Sequence, residues 1–138
     1  MAKKILIMGL PDSGKTTLAK LLAPMFNAVL LNEDEVRKEA KDWDFSEMGR
    51  SIQTNRMKRL ADEAKQNNRN VIADFDCSTE HTREDLNADY IIWMDTIKES
   101  KLEPPNFDFK VTHKDAQMFS FLIKQEILDK LKGLGPHD

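Results

Sequence analysis

Gly9-Leu-Pro-Asp-Ser-Gly14-Lys15-Thr16-Thr17 is the stretch that decides the fold of this 138-residue chain. It matches the pattern G-x-x-x-x-G-K-[ST], a loop whose backbone N–H groups converge on a phosphate. The apolar run from Ile5 to Met8 comes directly before it and is typical of a buried parallel strand. After Lys15 the apolar residues recur at three- and four-residue steps, as in a helix. The order of strand, loop and helix is the one that phosphate binding requires, because the N-terminus of the helix adds its positive dipole end.

The residue types in the loop predict how a nucleotide would be held. Gly9 and Gly14 let the backbone curl around a phosphate, Lys15 is the cation that reaches the β- and γ-phosphates, and the Thr16 hydroxyl is a ligand for Mg²⁺. We therefore predict binding of ATP with Mg²⁺, with Lys15 as a catalytic group. The predicted nucleotide-binding residues are Gly9, Asp12, Ser13, Gly14, Lys15, Thr16 and Thr17.

Outward from the loop, short apolar runs alternate with helical patterns. Further strands are predicted over residues 28–31, 71–75, 90–94 and 107–111. Further helices are predicted from the cap Asn32 to about Lys41, from the cap Ser46 to about Gln66, over 79–86, and from Thr112 with Asp115 to Gly133. This alternation predicts a three-layer α/β P-loop NTPase fold with a mainly parallel five-stranded sheet.

Length and composition set limits on the function. We expect one P-loop kinase domain over residues 1–138, since domains cluster around this size. The charge balance of 21 Lys+Arg against 24 Asp+Glu argues against a general nucleic-acid or membrane-surface binder. The single cysteine, Cys77, excludes an internal disulfide, and we expect a cytoplasmic protein.

Two charged residues follow the second predicted strand, at the edge of the sheet where ligands of α/β proteins bind. Asp34 lies in the first turn of the next helix, where it either holds Mg²⁺ through water or orients an acceptor hydroxyl as a base. Arg37 lies one turn further on and is placed to grip an anionic substrate. The alternative is an acidic turn that complements the helix dipole, with a surface ion pair.

Two carboxylates at strand ends compete for a second role at Mg²⁺. Asp74 ends the run Val71-Ile-Ala-Asp, and Asp95 ends the run Ile91-Ile-Trp-Met-Asp. We favour Asp74, with Thr16, as the metal site. The GTPase motif Asn-Lys-x-Asp does not occur in the sequence, and the size of the chain favours a small-molecule kinase.

The first half of the chain, from about Lys4 to Lys65, resembles the adenylylsulfate kinase (APS kinase) family. In that family the loop is followed by Leu-Asp-Gly-Asp-x-Val-Arg, then by Asp-Leu-Gly-Phe-Ser, then by a helix that contains an arginine. This chain has Leu31-Asn-Glu-Asp-Glu-Val-Arg37, Asp42-Trp-Asp-Phe-Ser46 and Arg50 in the same order.

The resemblance implies transfer of the γ-phosphoryl group of ATP to the ribose 3′-hydroxyl of adenylylsulfate, a small anionic nucleotide-like acceptor. It implies that Phe45 stacks on the adenine of the acceptor and that the arginines hold its sulfate or phosphate. It also makes a homodimer possible, because family members often pair. The acceptor-site residues that it implies are Asp34, Arg37, Phe45, Arg50 and Gln53.

The chain departs from the family pattern at several places. Asn32 and Glu33 replace Asp-Gly, and Gly49 stands where an Asp is usual. The long basic lid after Asp95 is absent, so the chain is similar to the shortened, lid-less forms found in bacterial viruses. Two alternatives therefore stay open: a kinase for a nucleoside or polynucleotide hydroxyl, and a nucleotide-binding module with little turnover.

Overall fold

Residues 2–77, 79–97 and 106–131, the parts of the chain that the computed structural model describes, form five strands and five helices. The strands are β1 (Lys4–Met8), β2 (Val29–Asn32), β3 (Val71–Asp74), β4 (Tyr90–Met94) and β5 (Phe109–Val111). The helices are α1 (Lys15–Met25), α2 (Glu33–Ala40), α3 (Glu47–Gln66), α4 (Glu80–Leu86) and α5 (Ala116–Lys130). Their order along the chain is β1-α1-β2-α2-α3-β3-α4-β4-β5-α5. No helix among these residues is long and apolar enough to cross a membrane.

The strands form one sheet in the order β2-β3-β1-β4-β5, and every neighbouring pair is parallel. Alternate residues of β1 point to opposite faces. Ile5 and Ile7 pack in one apolar cluster, which includes residues of α1 and α5, and Leu6 and Met8 pack in a second, which includes residues of α2, α3 and α4. These clusters are the two interfaces of a three-layer sandwich, and the predicted fold is confirmed.

The register of the sheet brings three strand ends together. Asp74 at the end of β3 is the register partner of Asn32 on β2 and of Ile7 on β1. The phosphate loop follows β1 directly, so polar side chains at the ends of β2 and β3 lie beside it. This edge of the sheet is where the functional site is expected.

Two of the predicted helix caps are confirmed. The Asn32 side chain accepts a hydrogen bond from the Glu35 N–H, and the Ser46 side chain accepts one from the Gly49 N–H. β2 runs straight into α2, since Asn32 is both the last residue of the strand and the cap of the helix.

The predictions were wrong in detail near the C-terminal end. β5 begins at Phe109 rather than at residue 107, because the Asp108 carboxylate accepts the Ile91 N–H (2.8 Å) just before the regular ladder begins. The cap of α5 is Asp115, whose side chain accepts the Met118 N–H, and not Thr112. The predicted helix end at Gly133 lies outside the described residues.

Candidate active site

The phosphate loop owes its shape to its glycines. Gly14 has φ +99°, which disfavours any residue with a Cβ. Gly9 has φ +156°, and a Cβ there would lie 2.8 Å from the Ser13 hydroxyl and 3.0 Å from the carbonyl oxygen of Met94. The loop is closed by a hydrogen bond from the Ser13 N–H to the Leu10 carbonyl (3.2 Å). Gly9 is therefore needed because a Cβ would not fit there, and Gly14 is needed because of its backbone conformation.

Lys15 lies across the loop that it follows. Its ammonium donates hydrogen bonds to the carbonyls of Gly9 (2.8 Å) and Leu10 (3.0 Å), and the residue is 8% exposed. The loop is also tied to the sheet, since the Thr96 hydroxyl donates to the Ser13 carbonyl (2.7 Å). A largely buried cation held at the mouth of a loop is positioned to meet phosphate oxygens with little rearrangement.

Three polar side chains converge at the first turn of α1. The Thr16 hydroxyl donates to the Asp74 carboxylate (2.6 Å), and the Asn32 amide donates to the same carboxylate oxygen (2.8 Å) and to the Thr16 oxygen (3.2 Å). Asp74 is 1% exposed. The three residues come from α1, β2 and β3, and the strand register already described aligns two of them. We call Thr16, Asn32 and Asp74 the polar triad.

The oxygens of the triad fit a magnesium ion. Among the described residues no group of three or more His, Cys, Asp or Glu could hold a metal. Mg²⁺ does not need such a group, because it keeps several waters and takes one or two protein oxygens together with the phosphates of its nucleotide. Thr16 and Asp74 supply two oxygens next to the phosphate loop, whereas the Asp95 side chain does not line the cavity described next.

A cavity of about 1040 Å³ opens from the phosphate loop toward α2, α3 and α4. Loop residues and the polar triad line one part of it, which we call the phosphate wall, and residues of α2, α3 and the segment after β3 line another part, which we call the acceptor wall. The lining residues are Pro11, Asp12, Gly14, Lys15, Thr16, Thr17, Asn32, Glu33, Asp34, Arg37, Phe45, Glu47, Arg50, Ser51, Gln53, Thr54, Asp74, Phe75, Asp76, Cys77, Thr79, His81, Thr82 and Lys114. All five residues expected at the acceptor site are in this set.

Arg37 is tied into the acceptor wall of the cavity. It is 3% exposed, and one of its amino groups donates to the carbonyls of Asp42 (3.0 Å) and Asp44 (3.1 Å). The Phe45 ring covers the guanidinium at 4.4 Å from the ring centroid, and the ring itself is 61% exposed. Arg37 therefore holds the connection between α2 and α3 in place while it lines the cavity.

The other acceptor-side residues differ in how firmly they are held. Gln53 is buried, donates to the Glu33 carbonyl (3.0 Å) and accepts from Arg56 (2.6 Å). Asp34 and Arg50 are exposed at the cavity surface. Asp34 and Arg50, like Phe45, are thus accessible to a bound molecule, whereas Gln53 is not.

Glu33 is a cavity residue that the sequence patterns did not single out as functional. Its carboxylate accepts the Asp76 N–H (3.2 Å). Burial, followed by repulsion from Asp76, raises the pKa of Glu33 to about 7, and the attraction of Lys15 opposes this shift in part. Glu33 is therefore a lining residue whose raised pKa brings its change of charge near neutral pH.

Sequence reasoning also missed Asn32, Asp76 and Lys114 as cavity residues. For Asn32 a signal was available: a polar residue at the end of a parallel strand next to the loop, although we interpreted it only as a helix cap. The structure also explains why Gly49 stands where the APS kinase family usually has Asp. A Cβ at this position would collide with the Asp44 carbonyl oxygen. The glycine at this position therefore allows the α2–α3 connection to lie against α3.

Cys77 and His81 also line the large cavity. Burial raises the pKa of the Cys77 thiol to about 12, so the thiol is not reactive near neutral pH. His81 is on the surface at the cavity mouth, with its Nε2 3.2 Å from Asp85.

A smaller cavity of about 90 Å³ lies on the other side of the loop. It is mostly apolar and is bounded by α1, the end of β4 and the β5–α5 connection. Its lining residues are Gly14, Thr17, Leu18, Met94, Val111, His113, Lys114, Ala116 and Phe119. Gly14, Thr17 and Lys114 line both cavities, so the two are neighbours.

Comparisons with known proteins agree with this geometry. A family model described as an AAA domain matches residues 5–88, which include the loop, the polar triad and α3. No curated protein sequence matches the chain.

Solved structures of several kinases share the fold. An APS kinase of Mycobacterium tuberculosis in complex with AMPPNP and APS is 16% identical with a TM-score of 0.70, and the match covers 91% of this chain and 97% of that one. A shikimate kinase of Acinetobacter baumannii in complex with shikimate is 17% identical with a TM-score of 0.64, with 96% of both chains covered. A gluconokinase of Sinorhizobium meliloti 1021 is 13% identical with a TM-score of 0.60, with coverage of 94% and 97%. The chain therefore has the P-loop kinase fold.

Proposed function

We propose that this chain, which belongs to the AAA domain family, is a kinase that transfers the γ-phosphoryl group of ATP to a hydroxyl group of a small acceptor, because it combines a phosphate loop with the fold of several kinases. One observation carries the proposal: the phosphate loop with its polar triad and the helix that bears Asp34 and Arg37 line the same cavity. A donor phosphate and an acceptor hydroxyl can thus be bound together in that cavity. Placing two reactants in this way supplies much of the rate enhancement of phosphoryl transfer.

The donor side is assigned as follows. The loop amides and Lys15 bind the phosphates and stabilise the charge of the transferring group. Thr16 and Asp74 hold Mg²⁺, which when bound neutralises charge on the β- and γ-phosphates. Asn32 fixes the Asp74 carboxylate through its amide (2.8 Å). We assign the base of ATP to the side of the loop where the small apolar cavity opens and where the His113 and Phe119 rings pack edge to face at 4.9 Å.

The acceptor is assigned to the acceptor wall. Asp34 orients the acceptor hydroxyl and takes its proton. Arg50 is the exposed cation that meets an anionic group of the acceptor, and Phe45 offers an exposed ring for stacking. Arg37 and Gln53 support these groups from beneath, since both are buried.

Adenylylsulfate is the first acceptor that we propose. Its support is the sequence resemblance together with the structural neighbour in complex with AMPPNP and APS. The exposed Phe45 ring beside Arg50 equally suits the base of a nucleoside, so a nucleoside or polynucleotide hydroxyl is the second candidate. The cytoplasmic location, the single domain and the homodimer stay predictions from the sequence.

The experiment is release of ADP from Mg-ATP by the purified chain, with adenylylsulfate, nucleosides and 5′-hydroxyl oligonucleotides as acceptors. We expect acceptor-dependent release, and replacement of Lys15 by Ala to abolish it, a loss of roughly 1000-fold, because the main cation at the transferring phosphate is gone. Lys20→Ala, an exposed lysine on the same helix, is the matched control. ATP binding without release for any acceptor would favour the nucleotide-binding module, and full activity of Lys15→Ala would refute the mechanism.

A further inference from the structure

Lys114, in the connection between β5 and α5, lies next to the phosphate loop. It lines both the large cavity and the small one. Its Cγ lies 3.7 Å from the position that a Cβ on Gly14 would occupy, so the stem of the lysine passes alongside the second glycine of the loop. The amides of such a loop cradle the α- and β-phosphates of a nucleotide.

The connection that carries Lys114 is fixed from both ends. The Asp95 N–H donates to the Val111 carbonyl (2.8 Å), which anchors the end of β5 to the end of β4. On the other side the Asp115 N–H donates to the His113 carbonyl (2.9 Å), and Asp115 caps α5. The backbone of Lys114 is therefore held beside Gly14, while its side chain is exposed.

The charge of Lys114 is available for a ligand. Within the described ranges no carboxylate oxygen lies within 4.0 Å of its ammonium. Lys110, four residues earlier, differs: its ammonium lies 5.9 Å from the Trp93 ring centroid and 6.0 Å from that of Phe107, away from both cavities. The sequence contains no arginine after Arg83, so any cation that this half of the chain brings to the phosphates is a lysine.

We propose that Lys114 binds the α- and β-phosphates of the nucleotide, as a second cation opposite Lys15. A lysine stem that starts beside Gly14 brings its charge over the phosphates nearest that glycine, whereas Lys15 reaches the β- and γ-phosphates. The proposal rests on the proposed function only in taking ATP as the ligand of the loop. It assigns nucleotide affinity on the donor side to a residue outside the loop motif.

The test compares binding of adenosine, AMP, ADP and ATP to the wild-type chain and to the variants Lys114→Met, Lys114→Arg and Lys110→Met. Lys114→Met keeps the length of the side chain and removes its charge. We expect it to weaken ADP and ATP binding equally, by about tenfold, because one charge-assisted contact is lost, and to change adenosine binding less than twofold. Lys114→Arg should stay within about threefold of wild type, and Lys110→Met should match wild type. High salt should narrow the difference between wild type and Lys114→Met.

The outcomes separate this proposal from the proposed function. If the wild-type chain binds ADP and ATP and Lys114→Met binds them equally well, the role of Lys114 is overturned and the proposed function still stands. Equal weakening of adenosine and ATP would also overturn it, because Lys114 would then shape the small cavity rather than bind phosphate. Failure of the wild-type chain to bind any nucleotide, with or without Mg²⁺, would overturn both. If Lys114→Met unfolds, Lys114→Gln replaces it, with the same expectations.

Discussion

The two walls of the large cavity are built from different kinds of contact. On the phosphate side, the groups are buried and bonded to backbone or to one another: Lys15 donates to two loop carbonyls, and Asp74 accepts from Thr16 and Asn32. On the acceptor side, three of the side chains that line the cavity are exposed to solvent: Asp34, Phe45 and Arg50. Phe45 is 61% exposed, against 1% for Asp74.

Under the proposed function, this difference separates a chemical wall, the phosphate wall, from a recognition wall, the acceptor wall. Groups that stabilise charge in a transition state must be held in advance, because reorganisation during the reaction costs rate. Groups that recognise an acceptor can be exposed side chains on a supporting frame, and such positions tolerate exchange between proteins with different acceptors. The frame of the second wall is Arg37, whose guanidinium fixes the α2–α3 connection from beneath.

The largest expected effect is on the phosphate wall. Replacement of Asp74 by Asn removes the charge of the polar triad while it keeps an oxygen near Thr16 and Asn32. We expect ADP release to fall by about 10- to 100-fold and the Mg²⁺ requirement to rise, because the metal loses an anionic partner. The measurement is the initial rate over a Mg²⁺ titration at saturating ATP.

Asp95→Asn is the matched control for this prediction. Asp95 directly follows β4, which is separated from β3 by β1, and its side chain does not line the cavity. The rate of Asp95→Asn should therefore stay within about twofold of wild type. The reverse result, with Asp95→Asn impaired and Asp74→Asn active, would move the metal to the other strand end and invalidate the polar triad as its site.

The next effect concerns the frame of the acceptor wall. Arg37→Ala should lower the free energy of unfolding by about 2 to 3 kcal/mol, because the carbonyls of Asp42 and Asp44 lose a charged donor and a buried side chain is removed. Arg50→Ala, at an exposed position of the same cavity, should stay within about 0.5 kcal/mol of wild type. Urea unfolding followed by circular dichroism measures both.

Equal stability of Arg37→Ala and wild type would mean that Arg37 is a recognition residue and no part of the frame. Acceptor KM then sharpens the contrast. Arg50→Ala should raise the acceptor KM without lowering the free energy of unfolding. If Arg50→Ala also lowered the free energy of unfolding, the distinction between frame residues and recognition residues would be lost.

The same contrast explains what could be predicted from the sequence. The loop, the strand order along the chain and the caps at Asn32 and Ser46 depend on neighbouring residues, so local patterns indicated them. The second role of Asn32 depends on the register of β2 with β3, which pairs it with Asp74, and a register cannot be derived from one strand. The burial of Arg37 depends on how the connection after α2 folds back, a tertiary contact that its helical spacing does not reveal.

The raised pKa of Glu33 likewise depends on tertiary contacts that a local sequence pattern does not reveal. As a residue in an acidic first helical turn it has the pattern of an exposed carboxylate that complements a dipole. Only the fold buries it between the Asp76 segment and α3 and places another carboxylate nearby. The local sequence pattern could therefore not predict that Glu33 titrates near neutral pH.

The smallest effect lies between the two walls, at Glu33. Its pKa is raised from 4.5 to about 7 in the folded chain, so between these pH values the folded state binds the proton more tightly than the unfolded state. The free energy of unfolding of wild type should therefore fall as the pH rises from about 4.5 to about 7, through the titration of this group, and should level off above pH 7.

Glu33→Gln cannot ionise and keeps an oxygen for the Asp76 N–H. It should match wild type near pH 4.5 and exceed it by about 1 to 2 kcal/mol at pH 8. Urea unfolding of both proteins across this range measures the difference. Glu39→Gln, at an exposed position of the same helix, is the control, and its stability should differ from that of wild type by an amount that does not change with pH. If the difference in free energy of unfolding between the two proteins is constant with pH, or favours wild type at pH 8, the pKa of Glu33 is not raised. Glu33 would then be a solvated carboxylate like the exposed groups of the recognition wall.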